Sequence, residues 1–154
     1  MTTNHPRGRY FEDLAVGEVF VSDVHEVTAD QIRDFARLMG ETNPLHVDPE
    51  FARRSRFGTI IASGSFGLTL AISLIDELEV FHGTAVAALG IESWRFGMPV
   101  VAGARLRSRM RIDELRPRDH VPDTGIVVRY FELVDTDDTI VQSGLAPLLV
   151  ERQR

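Results

Sequence analysis

One apolar segment in the middle of the chain constrains its fold more than any other feature. Residues 65–79 have helical spacing, and the first three turns, from Phe66 to Ile72, are apolar on nearly every side. A helix that is apolar all round is stable in water only when other elements cover it, so we expect it to be buried. The apolar stretch from Phe66 to Ile75 is also too short to span a bilayer.

The sequence on either side of this helix predicts a sheet. Residues 18–27 read as one strand, and the segments 84–96, 103–114, 125–134 and 139–151 read as four more, separated by turn residues. In one of them Arg105, Arg107, Arg109 and Arg111 alternate with Leu106, Ser108, Met110 and Ile112. This period of two indicates a sheet with one wet face and one dry face.

The segment before the buried helix carries signals for shorter helices. Thr28 and Gln31 have the spacing of a capping box, and Gly40 is suited to end the helix that follows. Asp48 and the proline after it predict a second short helix over residues 49–55. We therefore expect an α+β fold, with an antiparallel sheet of about five strands wrapped around a central helix. The length of 154 residues predicts a single domain, 1–154.

Composition excludes several functions. The chain has no cysteine, which rules out disulfides, zinc–thiolate sites, iron–sulfur clusters and cysteine nucleophiles. A net charge of −6 argues against general nucleic-acid binding, although a local basic patch can still hold a phosphorylated small molecule. The polar segment 1–10 lacks the apolar core of a signal peptide. We expect a cytoplasmic protein that binds neither nucleic acid nor membrane.

A carboxylate and an imidazole stand five positions apart in the loop after the first helix. Glu41 and His46 are separated by Pro44, which is not compatible with a regular helix running between them. Gly64 then opens the apolar helix, where free backbone N–H groups can stabilise a developing negative charge. An acid–base pair beside such donors is suited to adding or removing water next to an activated carbonyl. Local hydrogen bonding is the simpler alternative, and the set Glu41, His46 and Asp48 fits no recognised metal-ligand spacing.

These residues resemble those of a known family. The segment 43–48, read as Asn-Pro-Leu-His-Val-Asp, together with Phe57-Gly58, Ile61-Ala62 and Gly64, is similar to the motif of MaoC-like dehydratases, also called (R)-specific enoyl-CoA hydratases, of the hot-dog fold. Tyr10-Phe11-Glu12-Asp13-Leu14 and Trp94-Arg95-Phe96 with Pro99-Val100 extend the resemblance over most of the chain. The family pattern has aspartate where this chain has Glu41.

The resemblance implies a hydratase or dehydratase that adds water to a trans-2-enoyl thioester, giving an (R)-3-hydroxyacyl thioester. It implies that Glu41 and His46 are catalytic and that Gly64 provides a backbone oxyanion donor. We assign substrate contacts to Asn43, Ser63, Ser65 and Arg54, and we expect no metal. We also expect no separate cofactor, because coenzyme A enters as part of the substrate. The partner is then an acyl-CoA or an acyl-carrier-protein thioester, and the protein is a homodimer.

Two other functions remain open at this point. A non-catalytic acyl-CoA-binding or structural hot-dog subunit is consistent with the replacement of the family aspartate by Glu41. An acyl-CoA thioesterase is the third reading, although no serine here has a histidine–acid signature for a nucleophile. The sequence does not separate acid from base in the Glu41–His46 pair, and it does not give the acyl length or the carrier.

Overall fold

A computed structural model describes residues 7–154. Residues 1–6, which hold the first part of the polar segment 1–10, lie outside the described residues. After a single 3-10 turn at Phe11–Asp13, four helices follow: α1 (Ala29–Met39), α2 (Pro44–Val47), α3 (Pro49–Arg54) and α4 (Gly64–Asp76). The strands are β1 (Val19–Val21), β2 (His25–Glu26), β3 (Ala85–Ala88), β4 (Glu92–Phe96), β5 (Arg105–Pro117), β6 (Thr124–Asp135), β7 (Ile140–Leu145) and β8 (Leu148–Glu151).

All of these strands form one antiparallel sheet. Its main path runs β1–β5–β6–β7–β4, β2 pairs with β5, and β8 lies between β6 and β3. The five predicted strand segments are all present in the sheet, but three of them are divided into two strands each. The sheet therefore has eight strands instead of about five.

The divisions have local causes. Within the segment 18–27, the N–H of Ser108 on β5 donates to the buried Ser22 side-chain hydroxyl at 2.9 Å. This bond takes the place of a backbone ladder bond to β5 at the point between the end of β1 and the start of β2. Between β7 and β8, Pro147 has no N–H to donate to a ladder. Its carbonyl instead accepts from the Leu89 N–H at 3.0 Å, at the point where β3 and β4 separate. The segment with β3 and β4 and the neighbouring segment with β7 and β8 are thus divided at the same level of the sheet.

Helix α4 is the centre of the core, as predicted. Its buried residues are Phe66, Gly67, Leu70, Ala71, Leu74 and Ile75, and the helix ends at Asp76, three residues earlier than expected. The buried Ser108 hydroxyl on β5 donates to the Ala71 carbonyl at 2.7 Å, which satisfies a polar group inside the core. The predicted alternation in β5 is confirmed, because Leu106, Ser108, Met110 and Ile112 are all buried.

The short helices have the predicted caps. The Thr28 hydroxyl accepts from the Gln31 N–H and the Gln31 side chain accepts from the Thr28 N–H, which is a complete capping box. Gly40 ends α1 in the left-handed conformation, with φ of 72°. His46, which the sequence places in a loop, lies instead in the one-turn helix α2, which Pro44 begins. A proline is favoured at the first helical position, where the missing N–H has no partner to lose.

Within residues 7–154, no helix is long and apolar enough to cross a membrane.

Candidate active site

Glu41 follows Gly40, the residue that ends α1. The turn at Gly40 directs the Glu41 side chain toward the start of α4. The Glu41 N–H donates to the Ala36 carbonyl at 2.8 Å, which fixes the backbone. Carboxylate oxygen Oε1 accepts a hydrogen bond from the Ser65 hydroxyl at 3.0 Å. The other oxygen, Oε2, is buried and has no hydrogen-bond partner among the described residues. Leaving a buried acceptor unpaired is costly, so this oxygen is available to bind a water molecule or a substrate proton.

His46 is held by its backbone and by one ring nitrogen. Asn43 caps α2, and its carbonyl accepts from the His46 N–H at 3.0 Å. The ring atom Nδ1 lies 2.7 Å from the Ile61 carbonyl oxygen. A carbonyl only accepts, so Nδ1 must carry the proton, and in the neutral imidazole the lone pair is on Nε2. The half-buried His46 is therefore oriented as a proton acceptor at Nε2.

The partners of these two side chains belong to one short segment that leads into α4. The Ile61 carbonyl accepts a hydrogen bond from His46. Four residues later, the Ser65 hydroxyl donates one to Glu41. The sheet side of this segment is fixed by two backbone bonds, from Ala62 N–H to the Val100 carbonyl at 2.8 Å and from Ala102 N–H to the Ile60 carbonyl at 3.1 Å. The loop side is fixed by the Ile61 N–H, which donates to the Leu45 carbonyl at 3.2 Å. Glu41 and His46 are thus both tied to the same short backbone segment.

The start of α4 supplies exposed backbone donors. Gly64 is the first residue of the helix, the Ser63 side chain makes no capping hydrogen bond, and both Gly64 and Ser65 are exposed. The first N–H groups of a helix have no partner within it and form the positive end of its dipole. A Cβ atom on Gly64 would lie only 2.8 Å from a ring carbon of Phe96. Glycine leaves room here for the aromatic side chain of Phe96 on β4, and a larger residue would have to displace that exposed ring.

Gln142, which bonds the Trp94 indole, positions the first turn of α4, and no sequence signal predicts that it makes this contact. Gln142 on β7 is only 3% exposed; its Oε1 accepts from the Trp94 indole N–H at 2.9 Å, and its Nε2 lies 3.4 Å from the Gly64 carbonyl. A Cβ atom on Gly67 would come within 2.1 Å of the same Nε2. A glycine inside a helical pattern was the available signal for this close contact, but nothing in the sequence indicates its partner.

The remaining predicted residues have different surroundings. The Asn43 side chain accepts from the Leu45 N–H at 3.1 Å, so it acts on the backbone before His46. The Ser63 hydroxyl lies 3.0 Å from that of Ser65. Arg54 is exposed and pairs with Glu50 at 3.2 Å, and among the described residues no contact joins it to the Glu41–His46 site.

Asp48, a conceivable metal ligand together with Glu41 and His46, makes other contacts. Asp48 caps α3, where its Oδ1 accepts from the Glu50 and Phe51 N–H groups, both at 3.0 Å. In the part of the chain that the structure describes, no three His, Asp or Glu side chains come together as a metal site.

Comparison with known proteins identifies the family. A family model described as the MaoC like domain matches residues 14–129. The chain belongs to this family. The matched range contains the whole of the Glu41–His46 site, the start of α4 and the strands β1–β5.

The similar proteins include named enzymes. The chain is 36% identical over 107 residues to 3-hydroxyacyl-thioester dehydratase Z of Mycobacterium tuberculosis, an alignment that covers 65% of this chain and 71% of the relative. It is 30% identical over 108 residues to 3-hydroxybutyryl-CoA dehydratase of Methylorubrum extorquens, covering 70% of this chain and 66% of the relative. Family membership and these relatives support an enzyme of the hydratase or dehydratase type.

Solved structures have the same fold. A MaoC-like dehydratase from Rhodospirillum rubrum superposes with a TM-score of 0.79 at 30% identity, covering 96% of this chain and 99% of the other. A Mycobacterium tuberculosis protein described as a double hot-dog fold superposes with a TM-score of 0.81 at 20% identity, covering 95% of this chain and 45% of the other. The α+β hot-dog fold implied by the resemblance is confirmed.

Proposed function

We propose that the protein hydrates a trans-2-enoyl thioester to an (R)-3-hydroxyacyl thioester and catalyses the reverse dehydration. The observation that carries this proposal is the pair of free acceptors beside α4: the unpartnered Glu41 Oε2 and the His46 Nε2 set by the Ile61 carbonyl. Two acceptors held on one backbone segment are suited to orient a single water molecule. The exposed N–H groups that begin α4 lie along the same segment.

In the forward reaction the thioester carbonyl accepts hydrogen bonds from the backbone at Gly64. These bonds withdraw electrons from the conjugated double bond and make C3 electrophilic. The water oxygen bonds to C3 as one of its protons passes to the Glu41–His46 pair, and the electrons of the double bond move to C2 and the carbonyl oxygen. The pair then returns a proton to C2, so that H and OH are added and neither side chain keeps a proton.

Each part of this site has an expected share of the rate. General acid–base catalysis by a positioned pair is typically worth ~10² to 10⁴ in rate. Each oxyanion donor contributes on the order of 10² to 10³. The reaction draws on no resident cofactor, and coenzyme A enters only as part of the substrate.

Two of the relatives have names that fit this substrate class, 3-hydroxyacyl-thioester dehydratase Z and 3-hydroxybutyryl-CoA dehydratase. A short enoyl-CoA is therefore the first substrate to test, and an acyl-carrier-protein thioester the second. Exposed Arg54 would contact phosphate groups of the carrier rather than the reacting carbons.

The test is a hydration assay with purified protein and crotonyl-CoA, followed through the loss of the enoyl-thioester absorbance. The wild-type protein should hydrate crotonyl-CoA, while His46→Ala and Glu41→Gln should lose most of the hydration rate. The matched controls are His120→Ala and Glu26→Gln, which change exposed residues of the same types away from the site. Equal rates in the site variants and the controls would refute the mechanism.

One observation favours a second function. The family aspartate is replaced by Glu41, and a wild type without hydratase activity that still binds acyl-CoA would be a non-catalytic binding subunit. Release of free thiol from acyl-CoA would instead indicate a thioesterase. Absorbance and free thiol measured in the same mixture, together with a calorimetric titration of acyl-CoA, distinguish the three outcomes.

We also propose that the protein is a homodimer that pairs through β3. All four residues of this strand, Ala85–Ala88, are exposed, and among the described strands it pairs only with β8. An unpaired sheet edge is a liability unless another strand or element covers it. Light scattering should give twice the chain mass of 17.2 kDa at micromolar concentration, and a monomer would contradict the proposal.

A further inference from the structure

A buried arginine lies near the other end of α4, away from the candidate active site. Arg129 on β6 is only 4% exposed, and its Nε donates to the Ala146 carbonyl at 2.9 Å. The guanidinium carbon lies 5.6 Å from the ring centroid of Phe81 and 5.1 Å from that of Phe131. These contacts hold the side chain in one orientation.

The charge of this arginine is incompletely matched. Burial lowers the pKa of Arg129 to about 10, against the opposing influence of nearby Asp76, so the side chain remains charged at neutral pH. Among residues 7–154, no carboxylate forms an ion pair with it, and its two Nη atoms make no hydrogen bond. A buried charge normally has a partner that both pairs with it and satisfies its donors. Both Nη atoms of Arg129 are therefore free to donate to a group beside them.

Arg129 faces a cavity of about 370 Å³. Asp76 and His82 contribute polar groups to its wall, and Ala85, Ala88 and Ile91 contribute apolar surface. A volume of this size falls within the usual range of small-molecule sites, ~300–1,000 Å³. Asp76 follows Gly64 by twelve residues on α4, which corresponds to roughly 18 Å along the helix at 1.5 Å per residue. The cavity is therefore a separate site from the one at the start of α4.

We propose that this cavity binds a monocarboxylate with a short apolar body. The planar guanidinium presents paired donors that match the two oxygens of a carboxylate. The apolar wall along β3 and Ile91 accommodates a hydrocarbon chain. The nearby Asp76 carboxyl disfavours a second negative charge, which argues for a monoanion and against a phosphate dianion.

The test is calorimetric titration of the full chain with hexanoate and, as the neutral isostere, hexanamide. Wild type should bind hexanoate saturably with one site per chain. It should bind hexanamide at least about tenfold more weakly, since hydrogen bonds to charged groups contribute on that scale. Arg129→Met should weaken hexanoate by a similar factor or more. The matched control is Arg111→Met. The Arg111 guanidinium carbon also lies over an aromatic ring, 4.9 Å from the centroid of Tyr130, but this arginine is on the opposite, wet face of the sheet.

A second variant tests the cavity without changing the arginine. Ile72 on α4 lines the same cavity, and Ile72→Phe should fill part of it and also weaken hexanoate. Folding of each variant is verified by its thermal unfolding and far-UV circular dichroism. Absence of saturable hexanoate binding to wild type would overturn the proposal. So would equal binding of the amide, or binding that survives in both folded variants, since hexanoate would then occupy another place such as the active site.

Discussion

The two ends of α4 show opposite ways of handling a buried polar group. At the start, the unpartnered group is the Glu41 carboxylate oxygen, and it faces neutral serines and exposed backbone N–H groups. At the far end it is the Arg129 guanidinium, set between two aromatic rings. Each charge lies at the end of the helix dipole that stabilises it, negative near the first turn and positive near the last.

The elements that provide these groups differ as well. Glu41 and His46 come from short helices and turns, joined through the single segment from Ile61 to Ser65. Arg129 comes from the middle of a long central strand, and it donates to the Ala146 carbonyl in the link between β7 and β8. Under the proposed function, the start of the helix holds a charge that changes during the reaction, and the far end holds a charge that is fixed. The following predictions test this contrast, beginning with the largest effect.

Replacing His46 with alanine should abolish hydration while changing the free energy of unfolding by about 1 kcal/mol, the contribution of the lost bond to the Ile61 carbonyl. Rates with crotonyl-CoA and urea unfolding measure the two effects separately. Near-full activity in this variant would remove His46 from the mechanism.

Glu41→Gln should lower kcat by about 10² to 10⁴ with little change in KM, because the amide keeps the size and hydrogen bonding but accepts no proton. Glu41→Asp should also lower kcat, by up to about a hundredfold, since the shorter side chain draws the carboxylate back from Ser65. A faster aspartate variant would instead mean that the loop keeps the geometry of the family aspartate. An unchanged rate in Glu41→Gln would favour the binding-subunit function.

Gly64→Val should reduce kcat far more than Gly64→Ala, by about a hundredfold against a few-fold, because a branched side chain crowds the backbone donors. The alanine Cβ would meet only the ring of Phe96, which is 61% exposed and can move. Phe96→Ala should therefore relieve the stability loss of Gly64→Ala without restoring the activity of Gly64→Val. Equal and mild effects on kcat from both glycine variants would argue that no thioester carbonyl approaches this backbone.

The same contrast separates what sequence reasoning predicts from what it misses. Local signals are sufficient for Thr28, Gly40, Asp48 and Gly64, because caps and helix starts depend on neighbouring residues. The long-range pairs are not accessible in this way: Ser65 with Glu41, His46 with the Ile61 carbonyl, and Gln142 with Gly64 join residues that the fold brings together. Arg129 has the same parity in β6 as the buried Val127 and Phe131, so the alternation of the strand turns it inward, but nothing in the sequence indicates the contacts that receive its charge.

Replacing Gly67 tests how much the close contact between α4 and Gln142 contributes to stability. Gly67→Ala should lower the free energy of unfolding by about 1–3 kcal/mol, because its Cβ would overlap the buried Gln142 amide. The matched control is Gly90→Ala, which meets nothing within 4 Å and should change stability by under about 0.5 kcal/mol. Equal effects from the two would show that the Gln142 contact yields easily and does not fasten the first turn of α4.

The smallest expected effect concerns pH and Asp76. Burial raises the pKa of Asp76 above its usual value, and the opposing attraction of Arg129 is weaker. The folded state therefore holds the Asp76 proton more tightly than the unfolded state, so this residue favours folding at acidic pH and loses that contribution as pH rises through the folded pKa. Asp76→Asn should remove this part of the slope, so that stability falls less than in wild type as pH rises above about 4, the ordinary aspartate pKa. Because Asp76 is partly exposed, solvent screening keeps the difference small. Urea midpoints of both proteins across this range measure it, and a steeper fall in Asp76→Asn would mean that attraction to Arg129 outweighs the burial of the carboxyl group.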